Sequence, residues 1–85
     1  MDLVVRAIDE GRCTRVVIQG EAPLGRLCSL MRVLEVDSAS WRHPQVLLDL
    51  RELRSRLDHA ERAMLREVAG LRLRSRSVTL LWPAA

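Results

Sequence analysis

The stretch VLLDLRELRSRLDHAE, residues 46–61, sets Asp49 at the end of an apolar run, follows it with Arg51, Arg54, Ser55 and Arg56, and closes on the pair Asp58–His59. Residues of these types could supply an acid–base pair, a phosphoacceptor serine in a basic setting, or a charged surface that receives an acidic partner. The acid–base reading fails first. Asp58 and His59 are sequence neighbours, and adjacent positions on a helix do not face each other, so they make no dyad without a third group. No nucleophile signature such as GxSxG occurs, and Cys13 and Cys28 lie in apolar patterned segments. No catalysis is expected. Asp49 is the more suggestive acid, because ligands of open α/β sheets bind beyond the carboxyl ends of the strands, so it is the candidate ligand-facing residue. One carboxylate makes no site by itself, and its plainer role is to accept hydrogen bonds from the loop backbone. Ser55, between Arg54 and Arg56, reads as a turn residue before it reads as a phosphoacceptor. His59 reads as a surface residue of a first helical turn, and His43, before Pro44, as a loop residue.

These residues need a scaffold, and hydropathy periods provide one. Residues 3–8 are rich in Val, Leu and Ile, "DEGR" supplies turn chemistry, and residues 14–19 are again β-branched, which is a hairpin signal. After Gly20 the period changes: Leu24, Leu27, Cys28, Met31 and Leu34 recur at three and four, with Pro23 suited to the start of a helix. Pro44 forbids further helix. Residues 45–50 form a nearly continuous apolar run, expected to be a central, parallel strand covered on both faces. Asp58 and Glu61 have the spacing of a capping box, Gly70 is expected to close the second helix, and Leu57, Ala60, Met64, Val68 and Leu71 are its expected core face. "SVTLLW" gives a last strand, stopped by Pro83. The expected architecture is a single α/β (α+β) domain over residues 1–85. It is a mixed four-stranded sheet in ββαβαβ order, with strands near 3–8, 14–19, 45–50 and 77–82 and helices near 23–35 and 58–69. The last two strands should be parallel.

This order, with "IQGEAP", "HPQVLLDLREL" and "SVTLLWPA", resembles the STAS domain, the sulfate-transporter and anti-sigma-factor-antagonist family. "VLLDLREL" is similar to the family's strand "ILLDLSGV". In signalling members that strand leads into "DSSG", whose serine is phosphorylated by a kinase that doubles as an anti-sigma factor. Here the counterpart is "LDHAE": Asp58 matches the aspartate if one extra loop residue is allowed, His59 and Ala60 replace the serines, and Glu61 replaces the glycine. The resemblance therefore implies a regulator of anti-sigma-antagonist type that lacks the usual phosphoacceptor. It also implies a further C-terminal helix in many members, whereas this sequence ends at Ala85, so one sheet face is expected to be uncovered or covered by a partner.

Composition narrows the partner. With 85 residues, 48% hydrophobic and 29% charged, the chain has the balance of a small folded domain with one modest core. Its apolar runs are far short of the ~20 residues that span a bilayer, and the first twenty residues lack the apolar core of a secretory signal. A cytoplasmic protein is expected. Cys13 and Cys28 lack CxxC spacing and a neighbouring His, so they read as buried free thiols rather than zinc ligands, and no metal or cofactor is expected. All fourteen basic residues are Arg, a bias attributable to a GC-rich coding sequence before function. Residues 1–50 hold six Arg against seven acids and residues 51–85 eight against four, so the basic surface belongs to the second half.

Nucleic-acid binding is the rival reading. Arg72, Arg74 and Arg76 alternate in "LRLRSRS" and could line an extended segment with phosphates. Against it stand the net charge of +3 and the absence of Phe and Tyr for base stacking. Trp41 and Trp82 are expected to pack at the core rim. The sequence thus favours a non-enzymatic protein-interaction module whose partner, an anti-sigma-type kinase by the resemblance, meets Arg51, Arg54, Ser55, Arg56, Asp58 and His59, with an anion-friendly helix start. A homodimer through an edge strand or the open sheet face is expected as well, because so small a core is marginal alone.

Overall fold

The computed structural model describes residues 3–84. The hairpin forms first in the chain: β1 (Leu3–Asp9) pairs antiparallel with β2 (Thr14–Gly20), Leu3 opposite Gly20 and Asp9 opposite Thr14. Its turn places Gly11 at φ 86°, a left-handed conformation that favours glycine, and the Asp9 carboxylate accepts the Gly11 N–H at 2.8 Å. Helix α1 (Leu24–Asp37) follows, then a single 3-10 turn at Ser38–Ser40, strand β3 (Gln45–Asp49), helix α2 (His59–Arg72) and strand β4 (Ser77–Leu81). The sheet order is β1-β2-β3-β4, with β2–β3 and β3–β4 both parallel. The mixed four-stranded sheet in ββαβαβ order is therefore present as expected.

Two successive crossovers that step the same way across a sheet must put their helices on the same face, because each is right-handed. Accordingly one cluster joins Val16, Ile18, Val46, Leu48 and Leu50 of the sheet side to Leu27, Met31 and Leu34 of α1 and Leu65 and Ala69 of α2. The expectation that β3 is covered on both faces is corrected here. Its helix-facing residues are buried, while Leu47 on the other face is only half-buried. Asp49 on that face is buried beneath arginines rather than beneath a helix.

Helix α1 buries the stripe its period marked, Leu27, Met31 and Leu34, with Leu24 and Cys28 at its margin. In α2 the expected face is borne out in part: Leu57 and Val68 pack against the core, partly buried, but the fully buried residues are Leu65 and Ala69, whereas Met64 and Leu71 are largely exposed and Ala60 is exposed. Gly70 does not end the helix, which continues to Arg72 and stops at Leu73. A methyl group at Gly70 would meet nothing within 4 Å. Gly70→Ala is therefore expected to raise stability by about 0.5–1 kcal/mol through the reduced entropy of the unfolded chain, measured by chemical denaturation.

Both cysteines are free, and they are half-buried rather than buried. Burial pushes the Cys28 thiol pKa up. Trp41 and Trp82 pack against the core edge as expected.

Candidate functional site

The loop between β3 and α2 is fastened along its backbone from Leu50 to Ser55. Leu50 and Leu53 are buried, and the Leu50 N–H donates to the Leu81 carbonyl at 2.8 Å. The Gly20 N–H donates to the Glu52 carbonyl at 3.4 Å and the Arg54 N–H to the Gly20 carbonyl at 2.7 Å. Gly20 adopts φ 118°, so the exit of β2 needs a glycine to run beside this loop. Ser55 completes the attachment: its hydroxyl accepts the Ala22 N–H and donates to the Ala22 carbonyl, both at 2.7 Å. A phosphate on Ser55 would break both bonds, which fits a turn residue and not an exposed acceptor.

Pinned backbone leaves the side chains of Arg54 and Arg56 outside, between two shallow clefts. One, of about 480 Å³, is lined by Ala22, Pro23, Leu24 and Leu57 together with the carboxylates of Glu21 and Glu61. The other, of about 460 Å³, is lined by Leu53, Leu57, Pro83 and Ala84, and its charged lining is Arg54, Arg56 and Arg62 without an acid. The Arg62 guanidinium lies over the Trp82 ring, 4.9 Å from its centroid, so its cation is held at the rim by an aromatic face. Arg62 escaped the sequence reading. Its signal would have been position four of α2, one residue past the capping glutamate, which carries a side chain back over the helix start.

Neither a protein-family model nor a curated protein matches this chain. The functional reading therefore rests on the residues themselves.

Asp58 is the N-cap of α2 as its spacing predicted. Its carboxylate accepts the Glu61 N–H at 2.8 Å and the Glu61 carboxylate accepts the Asp58 N–H at 3.0 Å. That reciprocal pair places two carboxylates at the helix start, so the anion-friendly terminus expected there is corrected: the negative ends that complement the helix dipole come from the chain itself. His59 is exposed in the first turn.

Asp49 and Arg51 belong to a different place, the open face of the sheet. Asp49 accepts the Arg51 N–H at 3.1 Å, Arg51 Nε at 2.9 Å and Nη2 at 2.8 Å, and Arg15 Nη1 at 3.0 Å. Arg15 Nε also donates to Glu10 at 2.8 Å. The clasp is close to neutral as a unit, and the carboxylate is fully occupied. Chiefly the Arg51 guanidinium, with its N–H and Arg15 adding to it, holds the Asp49 carboxyl far below the usual carboxylate range despite burial. Among the described residues no three His, Cys, Asp or Glu side chains are grouped as metal ligands.

The arginines of the rival reading are dispersed. Residues 72–76 form no extended strand: Arg72 ends α2 and reaches Glu35 at 3.5 Å. Arg76 is half-buried, donating through Nη1 to the His43 carbonyl and through Nη2 to the Ser38 carbonyl, both at 2.6 Å, with Trp41 beneath it at 6.0 Å. His43 binds Asp9 at 2.7 Å and ties the approach to β3 to the hairpin. Through Gly11 first and His43 second, the Asp9 carboxyl is also lowered. No helix among the described residues is long and apolar enough to cross a membrane.

Proposed function

We propose that this chain is a non-enzymatic, cytoplasmic interaction module. Its role is that of a bacterial signalling regulator of anti-sigma-antagonist type, as the STAS resemblance of "VLLDLREL" and the ββαβαβ order suggest. Its contact surface is the β3–α2 loop with the end of β4. The observation that carries this reading is the cleft in which Arg54, Arg56 and Arg62 meet apolar walls and no acid. An acidic segment of a partner protein, such as a kinase-like anti-sigma factor, would pair its carboxylates with these guanidiniums and bury a side chain against Leu53, Leu57 and Pro83. Binding is constitutive in this reading, because His59 and Ala60 stand where the resemblance would put serines and Ser55 is spent on Ala22. Asp58 and Ser55 shape the surface, and Arg51 stays with Asp49.

The test is capture from the native host by the parent and by Arg54→Glu with Arg56→Glu, read by mass spectrometry. Both side chains are exposed, so the double variant is expected to melt within a few degrees of the parent, a stability change of about 0.5 kcal/mol or less, and to lose the partner. Retention of the partner at parental affinity overturns the reading. Capture of nucleic acid, with a steep salt dependence flattened by Arg74→Glu, would replace it with the rival.

A further inference from the structure

An open groove lies away from the arginine cleft, between the edge strand β1 and helix α1. Its volume is about 790 Å³ and its lining includes Leu3, Val4, Val5, Arg26, Leu30 and Val33. Val4 is 51% exposed and Val33 62%, and β1 pairs on one side alone, with β2. An edge strand flanked by exposed valines is a template for another strand.

We propose that this edge takes a second copy of the chain, about a two-fold axis perpendicular to the sheet and passing beside Val5. The charge pattern of α1 is self-complementary. Arg26, Leu30, Val33 and Asp37 recur at intervals of four, three and four along one flank. The opposite flank carries Glu35, which faces Arg72 of α2. The free flank is a cation, two apolar residues and an anion in order. Laid antiparallel on itself it sets Leu30 against the partner's Val33 and Arg26 against the partner's Asp37, at both ends. Arg26 has no ion pair among the described residues, and Asp37 gives one carboxylate oxygen to Trp41 Nε1 at 3.3 Å, leaving the other.

Strand register limits where the axis can pass. An axis perpendicular to the sheet keeps each face continuous, so residues of like parity meet. Centred on Arg6, the pairing would oppose two guanidiniums, which is unfavourable. Centred on Val5, it joins Val5 to its own copy, Leu3 to the partner's Ala7 and Val4 to the partner's Arg6, with no like charges opposed. Arg26 lines the groove with Leu3–Val5, while Asp37 lines a hollow beside Ala7 and Asp9, so the helical flank runs along β1 with its midpoint over the middle of the strand, where the Val5-centred axis passes. The product is a continuous eight-stranded sheet with a pair of α1 helices on one face, at the ~8–10 Å separation usual for packed helices.

Sedimentation velocity across a micromolar concentration series tests this surface without reference to the arginine cleft. The parent is expected to sediment as a dimer at the upper concentrations. Arg26→Asp and Asp37→Arg are each expected to be monomeric, because each homodimer would oppose like charges twice. Each also suits the helix dipole at its end of α1, so folding is retained. Mixed in equal amounts the two variants are expected to form a heterodimer in which both contacts are restored. Val33→Glu, an exposed change, should be monomeric, folded by its circular-dichroism spectrum, and should melt as the parent does at concentrations too low for dimer. A monomeric parent, reversal variants that stay dimeric, or a mixture that fails to associate overturns the proposal, the second outcome placing the interface on another face.

Discussion

Leu48→Ala is expected to lower the folding stability by about 2–5 kcal/mol, the range for a large-to-small change in a core that cannot collapse around the gap. Leu48 is fully buried in β3, between β2 and β4, and packs in the cluster shared with both helices. The loss includes the transfer of its methyl and methylene groups from water and the contacts its neighbours forfeit. In a domain of this size each kcal/mol moves the melting temperature by about 4–8 °C, so the shift should exceed about 8 °C. Leu47 is the internal control. It occupies the same strand and the same chemistry but lies half-buried on the face without helices, and its truncation should cost about 1 kcal/mol or less. Equal losses at Leu47 and Leu48 would mean that the open face is covered in solution.

That asymmetry separates what was legible in the sequence from what was not. Strand positions followed from local patterning: the β-branched runs, the turn at residues 9–12 and the breaks at Gly20 and Pro44 each act over a few residues. The capping box at Asp58 and Glu61 is equally local, and both of its bonds form. Helix α2 was harder because it carries two apolar rows about 100° apart, Ala60–Met64–Val68–Leu71 and Leu65–Ala69. Periodicity cannot choose between such rows. Packing against α1 and the sheet selects the one that presents the small Ala69, and leaves Met64 and Leu71 outside. Arg76 was illegible for another reason. Its partners are the carbonyls of Ser38 and His43, groups every residue has, so nothing in the side-chain pattern marks them. The arginine cleft was half legible: Arg54 and Arg56 come from the loop itself, while Arg62 and the Pro83–Ala84 wall join them through the parallel placement of β4 beside β3.

Asp49 belongs to the illegible part, since its pairing with Arg15 depends on the β2–β3 register that sets Val17 beside it, and it supports the second large expected effect. Asp49→Asn should cost about 1–3 kcal/mol near neutral pH. One oxygen still accepts, but an amide now points its own donors at a guanidinium. The cost stays below that of a fully buried ion pair, because Arg51 is more than half exposed and water can hydrate it once released. The distinguishing feature is the pH dependence. In the folded chain the carboxyl stays ionised far below its usual range, whereas in the unfolded chain it takes up a proton near pH 4. Below that point the unfolded state binds more protons, so acid drains the stability this group contributes. The contribution is complete above about pH 5 and declines as the pH falls towards the folded-state value. Asp49→Asn removes the titration, so the stability curves of parent and variant should converge in acid. A shared slope remains from Asp9, whose carboxyl is lowered by Gly11 and His43. Denaturation measured at intervals from neutral pH to pH 2 checks this. Curves that stay parallel throughout would mean that the arginines do not hold Asp49 in solution, and that the open face of the sheet is organised some other way.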